Sequence, residues 1–263
     1  MPGGLGHTRT SSPPLPPVPR FHVDLPLAHG LEAPLPLAVA RHVQVLRLQP
    51  GAAITLFDGR GTDWTADVLR IGRSEVTVRV REALAAGQVE LPLAVTLAVG
   101  MPANERMDWL VEKATELGVH AIQPLVCERS VLRLSGERAE RKLTHWRGVA
   151  AAACEQCGRS RLPLLQPVLS FDAWRAALAS EPATTGFVLS LGAATQPYCE
   201  ALKPALHAGR SLLFLSGPEG GLSPAEDAAA RDAGLLPVTL GPRILRAETA
   251  PLTALAAIAA LFA

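Results

Sequence analysis

Residues 212–241, LLFLSGPEGGLSPAEDAAARDAGLLPVTLG, spell a strand, a glycine-rich turn, a helix and a second strand. LLFLS is a short, unbroken apolar run, which suits a strand buried on both faces. Ser223 stands at a helix N-cap, Pro224 at the first helical position and Glu226 at the third. That is a capping box with the proline placed where its missing N–H costs nothing. Gly234 closes the helix and LLPVTLG is the next strand. Ligands of open α/β sheets sit beyond the carboxyl ends of the strands. The turn SGPEGG therefore lies where a ligand would be, and its glycines let a ligand approach the backbone closely. Read without a ligand, the same turn is a tight strand-to-helix connection.

The turn is not a P-loop, because it lacks G-x-x-x-x-G-K-[ST]. It also lacks G-x-G-x-x-G and follows a late strand, so an ordinary dinucleotide-binding turn is disfavoured. Glu219 would repel phosphate, and a neutral or cationic ligand surface suits it better. Immediately downstream, LGPRILRAETAPLTALAAI (240–258) ends a strand, places Arg243, Arg246 and Glu248 in a loop, and starts an Ala-rich helix near Ala250. Arg246 and Glu248 read either as a surface ion pair and cap or as working groups beside a strand end.

Upstream, the same alternation extends back to Leu91. LAVTLAV is an apolar strand. Asn104 is placed to cap a helix whose Met107, Leu110, Val111, Ala114 and Leu117 share one face, Gly118 ends it, and VHAIQPLV is the following strand. A basic amphipathic helix is expected from about Glu137 to Ala153, and GFVLSLG is a further strand. Buried strands separated by helices predict a parallel sheet covered on both faces, an α/β domain over 91–263. Before it the pattern changes. AAITLFDGRGTDWTADVLRI reads as strand, D-G turn and strand, and EVTVRVRE as another strand. LPLAVARHVQVLRLQPG is a short helix or a strand pair ended by Pro50-Gly51. An all-β, barrel-like domain is expected over 19–88, joined by a linker in EALAAGQVELP. Residues 1–18, rich in Pro, Gly and Ser, are expected to be a disordered tail.

Composition narrows the classes. At 263 residues and 48% hydrophobic content, the chain can build two modest cores, and wholesale disorder is excluded. No apolar run reaches the roughly 18–20 residues that cross a bilayer, and the N-terminus has no apolar core like that of a secretory signal, so no membrane association and a cytoplasmic location are expected. A net charge of +1 carries no global argument for nucleic acid, so any RNA surface is a local patch. The cations are nearly all Arg, with Lys only at 113, 142 and 203, which fits phosphate recognition or simply a GC-rich genome. Cys154 and Cys157 form a lone C-x-x-C without a second ligand pair, so no metal is assigned. They read best as neighbours on one helix face.

SGPEGGLSPAE followed by LGPRILRAETAPLTAL resembles the paired signature of the ribosomal RNA small subunit methyltransferase E family, within the SPOUT superfamily. ERMDWLVEKATELGVHAIQPLVCERSV is similar to that family's first helix–strand unit, AAACEQCGRSRLP to its middle motif, and RHVQVLRLQPG with LFDGRG to its PUA-like domain. The resemblance runs from Arg20 to the end, in order.

It implies a SPOUT domain with a deep trefoil knot behind an N-terminal PUA-like barrel. It implies S-adenosyl-L-methionine (SAM) as cofactor, methyl transfer to N3 of a uridine in 16S rRNA of the small ribosomal subunit, and a homodimer through the SPOUT domain. SAM would be held by Leu191 and Gly192 after GFVLSLG, by Leu215, Gly217, Glu219, Gly220 and Gly221, and by Leu240, Gly241 and Leu245. Arg246 would stabilise charge on the uracil, and Glu248 would act as base or orienting group. Arg20, Arg41 and Arg47 in the barrel domain, with Arg159 and Arg161 after the C-x-x-C, are the candidate RNA contacts, each of which also reads as solvated surface charge. Two other readings stay open: a SPOUT methyltransferase of another rRNA or tRNA site, and a non-catalytic RNA-binding or assembly protein.

Overall fold

A computed structural model describes residues 18–84, 89–103, 105–178, 184–192 and 194–262. Most of the expected tail, part of the expected linker and the expected cap Asn104 lie outside the described residues.

The N-terminal part is a five-stranded sheet of β1 (Arg20–His22), β2 (Glu32–Pro34), β3 (Ala53–Phe57), β4 (Asp63–Ile71) and β5 (Val76–Ala83), in the order β1-β3-β4-β5-β2. The β3–β4 connection turns at Asp58-Gly59, where Asp58 Oδ1 accepts the Arg60 N–H and Gly59 takes φ +80°. The domain is not all β. LAVARHVQV forms helix α1 (Leu37–Val45), which buries Ala40 and Val43 against Ile54, Leu56, Val68 and Val78. The two buried residues are three apart, the helical interval, and their packing against the sheet decides between the two readings.

The C-terminal part is an eight-stranded, all-parallel sheet. Its strands are β6 (Val95–Gly100), β7 (Ala121–Val126), β8 (Leu164–Leu165), β9 (Leu169–Ser170), β10 (Thr184–Leu189), β11 (Gln196–Pro197), β12 (Ser211–Ser216) and β13 (Leu236–Thr239). The order is β11-β13-β10-β12-β6-β7-β8, with β9 also on β7. Alternate residues serve opposite faces. Leu97, Phe187, Leu212 and Phe214 pack with α2 (Glu105–Glu116), α3 (Gly136–Cys157), α5 (Tyr198–His207) and α7 (Thr249–Leu261). Ala98, Val188, Leu213 and Leu215 pack with α4 (Phe171–Ala177) and α6 (Pro224–Asp232) on the other face. Burial on both faces is why these strands read as unbroken apolar runs. Helix α3 outlasts its expected end by four residues, so the C-x-x-C occupies its last turn until Gly158, in the left-handed region, stops it.

The two parts meet along a polar seam. Arg20 pairs with Asp63 and donates to the Arg159 carbonyl, Ser160 Oγ donates to Asp63 at 2.6 Å, and the His22 N–H donates to Glu155. Gly61 and Leu162 add backbone hydrogen bonds across the boundary, to Ser160 and Gly59. This seam lies at the amino-terminal end of the parallel sheet, because Leu164 pairs with Ala121, the first residue of β7. No helix among the described residues is long and apolar enough to cross a membrane.

Candidate active site

Beyond the carboxyl ends of β10, β12 and β13 lies a cavity of about 550 Å³. Three loops wall it: Leu189–Leu191 after β10, Ser216–Gly221 after β12, and residues 240–247 after β13, with Ala250 of α7 and Arg106 of α2 completing it. The switch that opens this crevice is visible in the strand order, since β12 and β13 lie on opposite sides of β10.

The β12 loop is held from both sides. Ser223 Oγ accepts from Glu226 N–H and Glu226 Oε2 accepts from Ser223 N–H, the capping box expected from the sequence. Glu226 is buried and uses its other oxygen to accept the Glu128 N–H at 2.8 Å, so one carboxylate ties α6 to the loop after β7. Arg129 donates to the Gly220 carbonyl. On the far side, Glu219 accepts from the Ala103 N–H at 2.8 Å and from Arg106 at 3.3 Å. Glycine is required at two points. A Cβ on Gly217 would stand 2.5 Å from Leu222 N, and one on Gly100 would stand 2.5 Å from Pro218 Cδ. Side chains there would push the loop off the end of the sheet.

Of the residues expected to hold a cofactor, Leu191, Gly217, Glu219, Gly220, Gly221, Leu240, Gly241 and Leu245 line the cavity. Gly192 follows the β10 loop without lining it, and the Leu215 side chain is in the core against Ala98 and Val188. Gly221 and Gly241 have positive φ and open space where a Cβ would project. Arg246 is exposed and lines the cavity, while its carbonyl accepts from Thr249 and Ala250 and fixes the start of α7. Glu248 does not share that wall. It is 7% exposed, off the lining, and its Oε2 has no hydrogen-bond partner among the described residues. Ser216, 2% exposed and on the wall, also has an unpartnered Oγ.

Residues 89–259 match the RNA methyltransferase domain family, and residues 38–81 match the RNA methyltransferase PUA domain. The chain is 34% identical over 224 residues to ribosomal RNA small subunit methyltransferase E of Bacillus subtilis, covering 82% of this chain and 84% of the relative. It is 36% identical over 218 residues to the Mycobacterium tuberculosis protein of that name, covering 82% and 81%. The chain belongs to the ribosomal RNA small subunit methyltransferase E family. Among solved structures it resembles the Neisseria gonorrhoeae member of that family bound to S-adenosyl methionine (37% identity, TM-score 0.84, 93% of this chain and 98% of that one). A putative methyltransferase from Legionella pneumophila, with SAM bound as cofactor, is similar at 31% identity and TM-score 0.84, over 93% and 98%.

For a member of this family, the five arginines expected to touch RNA separate into two groups. Arg41, Arg47 and Arg161 are exposed. Arg20 is largely withdrawn into the seam, where it pairs with Asp63 and lies over the Phe57 ring. Arg159 is corrected outright: it is 3% exposed, and its three guanidinium nitrogens donate to Glu90, to the Thr115 carbonyl and to the Val119 carbonyl. Such a group braces the domain from inside and is enclosed away from any phosphate. Cys154 is buried and donates to the Arg161 carbonyl, and burial pushes its thiol up to about 12. It is a packed, protonated side chain at neutral pH.

Sequence reasoning missed Arg106 and Ser216 on the cavity wall. Arg106 is remote from the β12 loop along the chain, and the pairing of β6 with β12 brings its helix beside that loop. The orphaned Ser216 hydroxyl is invisible until its surroundings are known.

Proposed function

We propose that the protein transfers the methyl group of SAM to N3 of a uridine in 16S rRNA of the small ribosomal subunit. The observation that carries this is the cavity beyond β10, β12 and β13, walled by both signature loops in a chain of this family. Its residues fit SAM. Gly221 and Gly241 leave open space beside the backbone, Ser216 Oγ lacks a partner among the described residues, and Glu219 disfavours a phosphate ligand. When bound, SAM supplies an electrophilic methyl group on a sulfonium.

The chain's own residues then have two tasks. Uridine N3–H is a weak acid, so its proton must leave as N3 attacks, and charge on the uracil carbonyls must be stabilised. Arg246, on the wall, is assigned the second task. Glu248, buried behind the wall with an unpartnered oxygen, is assigned the orienting role that its place supports, rather than direct contact with the base, and the N3 proton passes to solvent water. RNA docking is assigned to the PUA-like domain and to Arg41, Arg47 and Arg161.

The knot belongs to this proposal. After β13, beyond β10, the chain returns so that α7 packs on β12, β6 and α2, the crossing that threading needs. A homodimer through this domain is supported by Trp109 on α2 and by Leu261 and Phe262 at the end of α7, which stay exposed on helices that touch. A PUA-like barrel and a cytoplasmic location complete the reading.

The test is transfer of labelled methyl from SAM to small subunits and to naked 16S rRNA, both from cells lacking the protein, followed by nucleoside identification. Label in 3-methyluridine supports the proposal. Label in another nucleoside, or only in tRNA, replaces the substrate. SAM binding without transfer to any RNA would favour a non-catalytic protein.

A further inference from the structure

The loop after β13 carries an apolar side chain that none of the described residues covers. Ile244 is 84% exposed, the highest value for any large hydrophobic residue among those described. Isolated exposed apolar residues are ordinary, but this one lines the cavity mouth within Pro242-Arg243-Ile244-Leu245-Arg246. Arg243 and Arg246 are exposed, line the same cavity, and make no ion pair among the described residues. The loop behind them is anchored, because Leu245 is half-buried and the Arg246 carbonyl accepts the Thr249 and Ala250 N–H groups of α7. An apolar tip, flanked by two arginines on a braced support, thus stands beside the cavity.

That combination matches a particular partner chemistry. N3 of uridine lies on its pairing edge, so in folded RNA the base must leave its stack before the cavity can receive it. Apolar wedges inserted between base steps hold such gaps open, and arginines beside them neutralise the backbone. We propose that Ile244 enters the RNA stack next to the target uridine and fills the space it vacates, with Arg243 on the adjoining phosphate and Arg246 left to the base. The inference rests on the rRNA methyl-transfer reading above.

The test places 2-aminopurine beside the target uridine in an rRNA fragment and compares wild type, Ile244→Leu and Ile244→Asn. Fluorescence should rise when wild type or Ile244→Leu binds. Ile244→Asn should bind the fragment without that rise and lose at least about tenfold in kcat/KM. Its SAM affinity and melting temperature should match the wild type. A full fluorescence rise with Ile244→Asn overturns the wedge, and so does weakened SAM binding, which would make Ile244 part of the cofactor cover. A wild type that methylates the fragment with no rise overturns the wedge and leaves the methyl-transfer reading standing. A wild type that binds SAM but methylates no RNA removes that reading, and the wedge with it.

Discussion

At the amino-terminal end of the parallel sheet, Arg159 commits all three guanidinium nitrogens to Glu90 and two backbone carbonyls, at 3% exposure. At the carboxyl-terminal end, Arg243 and Arg246 line the cavity with no ion pair among the described residues. The seam around Arg159 satisfies most of its polar groups internally, Arg20 Nε excepted: Asp63 accepts from both Arg20 and Ser160, and Glu90 from both Arg159 and the Arg161 N–H. The cavity end leaves Ser216 Oγ and Glu248 Oε2 without partners. A buried polar group without a partner is costly, and Ser216 Oγ, on the cavity wall, stands where a bound molecule can supply the missing bond. One residue type therefore has a structural role at one end of the sheet and is open to chemistry at the other, and what separates them is whether acceptors lie within the chain.

Exchanging the two arginines' fates tests this contrast most severely. Arg159→Ala strands Glu90 and two carbonyls, and should lower unfolding free energy by about 3–5 kcal/mol in denaturant titrations. The salt dependence of RNA binding should keep its slope, because no phosphate contact is lost. A shallower slope with unchanged stability would reverse the assignment. Arg246→Ala should do the opposite: methyl transfer falls by about 10²–10³-fold, while the melting temperature and SAM affinity stay near wild type. Loss of SAM binding in proportion to turnover would make Arg246 a cofactor residue instead.

A smaller effect is expected where the two behaviours meet in one side chain. Glu226 is a fully used carboxylate that nevertheless supports the cavity loop. Glu226→Gln can offer only one acceptor oxygen to the Ser223 and Glu128 N–H groups, and should cost about 1–2 kcal/mol. SAM affinity should weaken with it. If stability fell and affinity held, the loop would be anchored well enough by Arg129 and by Glu219 on its far side.

The smallest effect concerns pH at the seam. Burial lowers the His22 pKa from its usual 6.5, against the opposing pull of Glu155, Asp24 and Asp58. The unfolded chain therefore takes up a proton before the folded one does. Stability is complete above 6.5 and declines as pH falls from there toward the depressed folded value. His22→Gln should flatten that decline when melting temperature is followed through the same window. An unchanged decline would place its origin in other groups.

Much of this architecture is legible in the chain's own order of residues. Unbroken apolar runs such as LLFLS identify strands covered on both faces, since a half-exposed strand would alternate. Ser223, Pro224 and Glu226 place a helix start to the residue, because capping is decided by atoms a turn apart. For the same reason, the loops that wall the cavity were readable as loops at strand ends. Where the sequence left helix and strand both open, at LAVARHVQV, packing of Ala40 and Val43 against the first sheet decided for the helix.

The tertiary structure alone decided which of these groups are available. Arg159 and Arg161 stand two residues apart and look alike in sequence, yet one is consumed inside the protein and the other is exposed. Arg106 reaches the cavity because β6 pairs with β12, while Glu248, at the N-cap of α7, is buried off the lining. Strand, cap and turn depend on neighbours a few residues apart, so the sequence by itself determines them. The availability of a charge depends on which acceptors distant segments bring within hydrogen-bonding distance, and only the completed fold sets that.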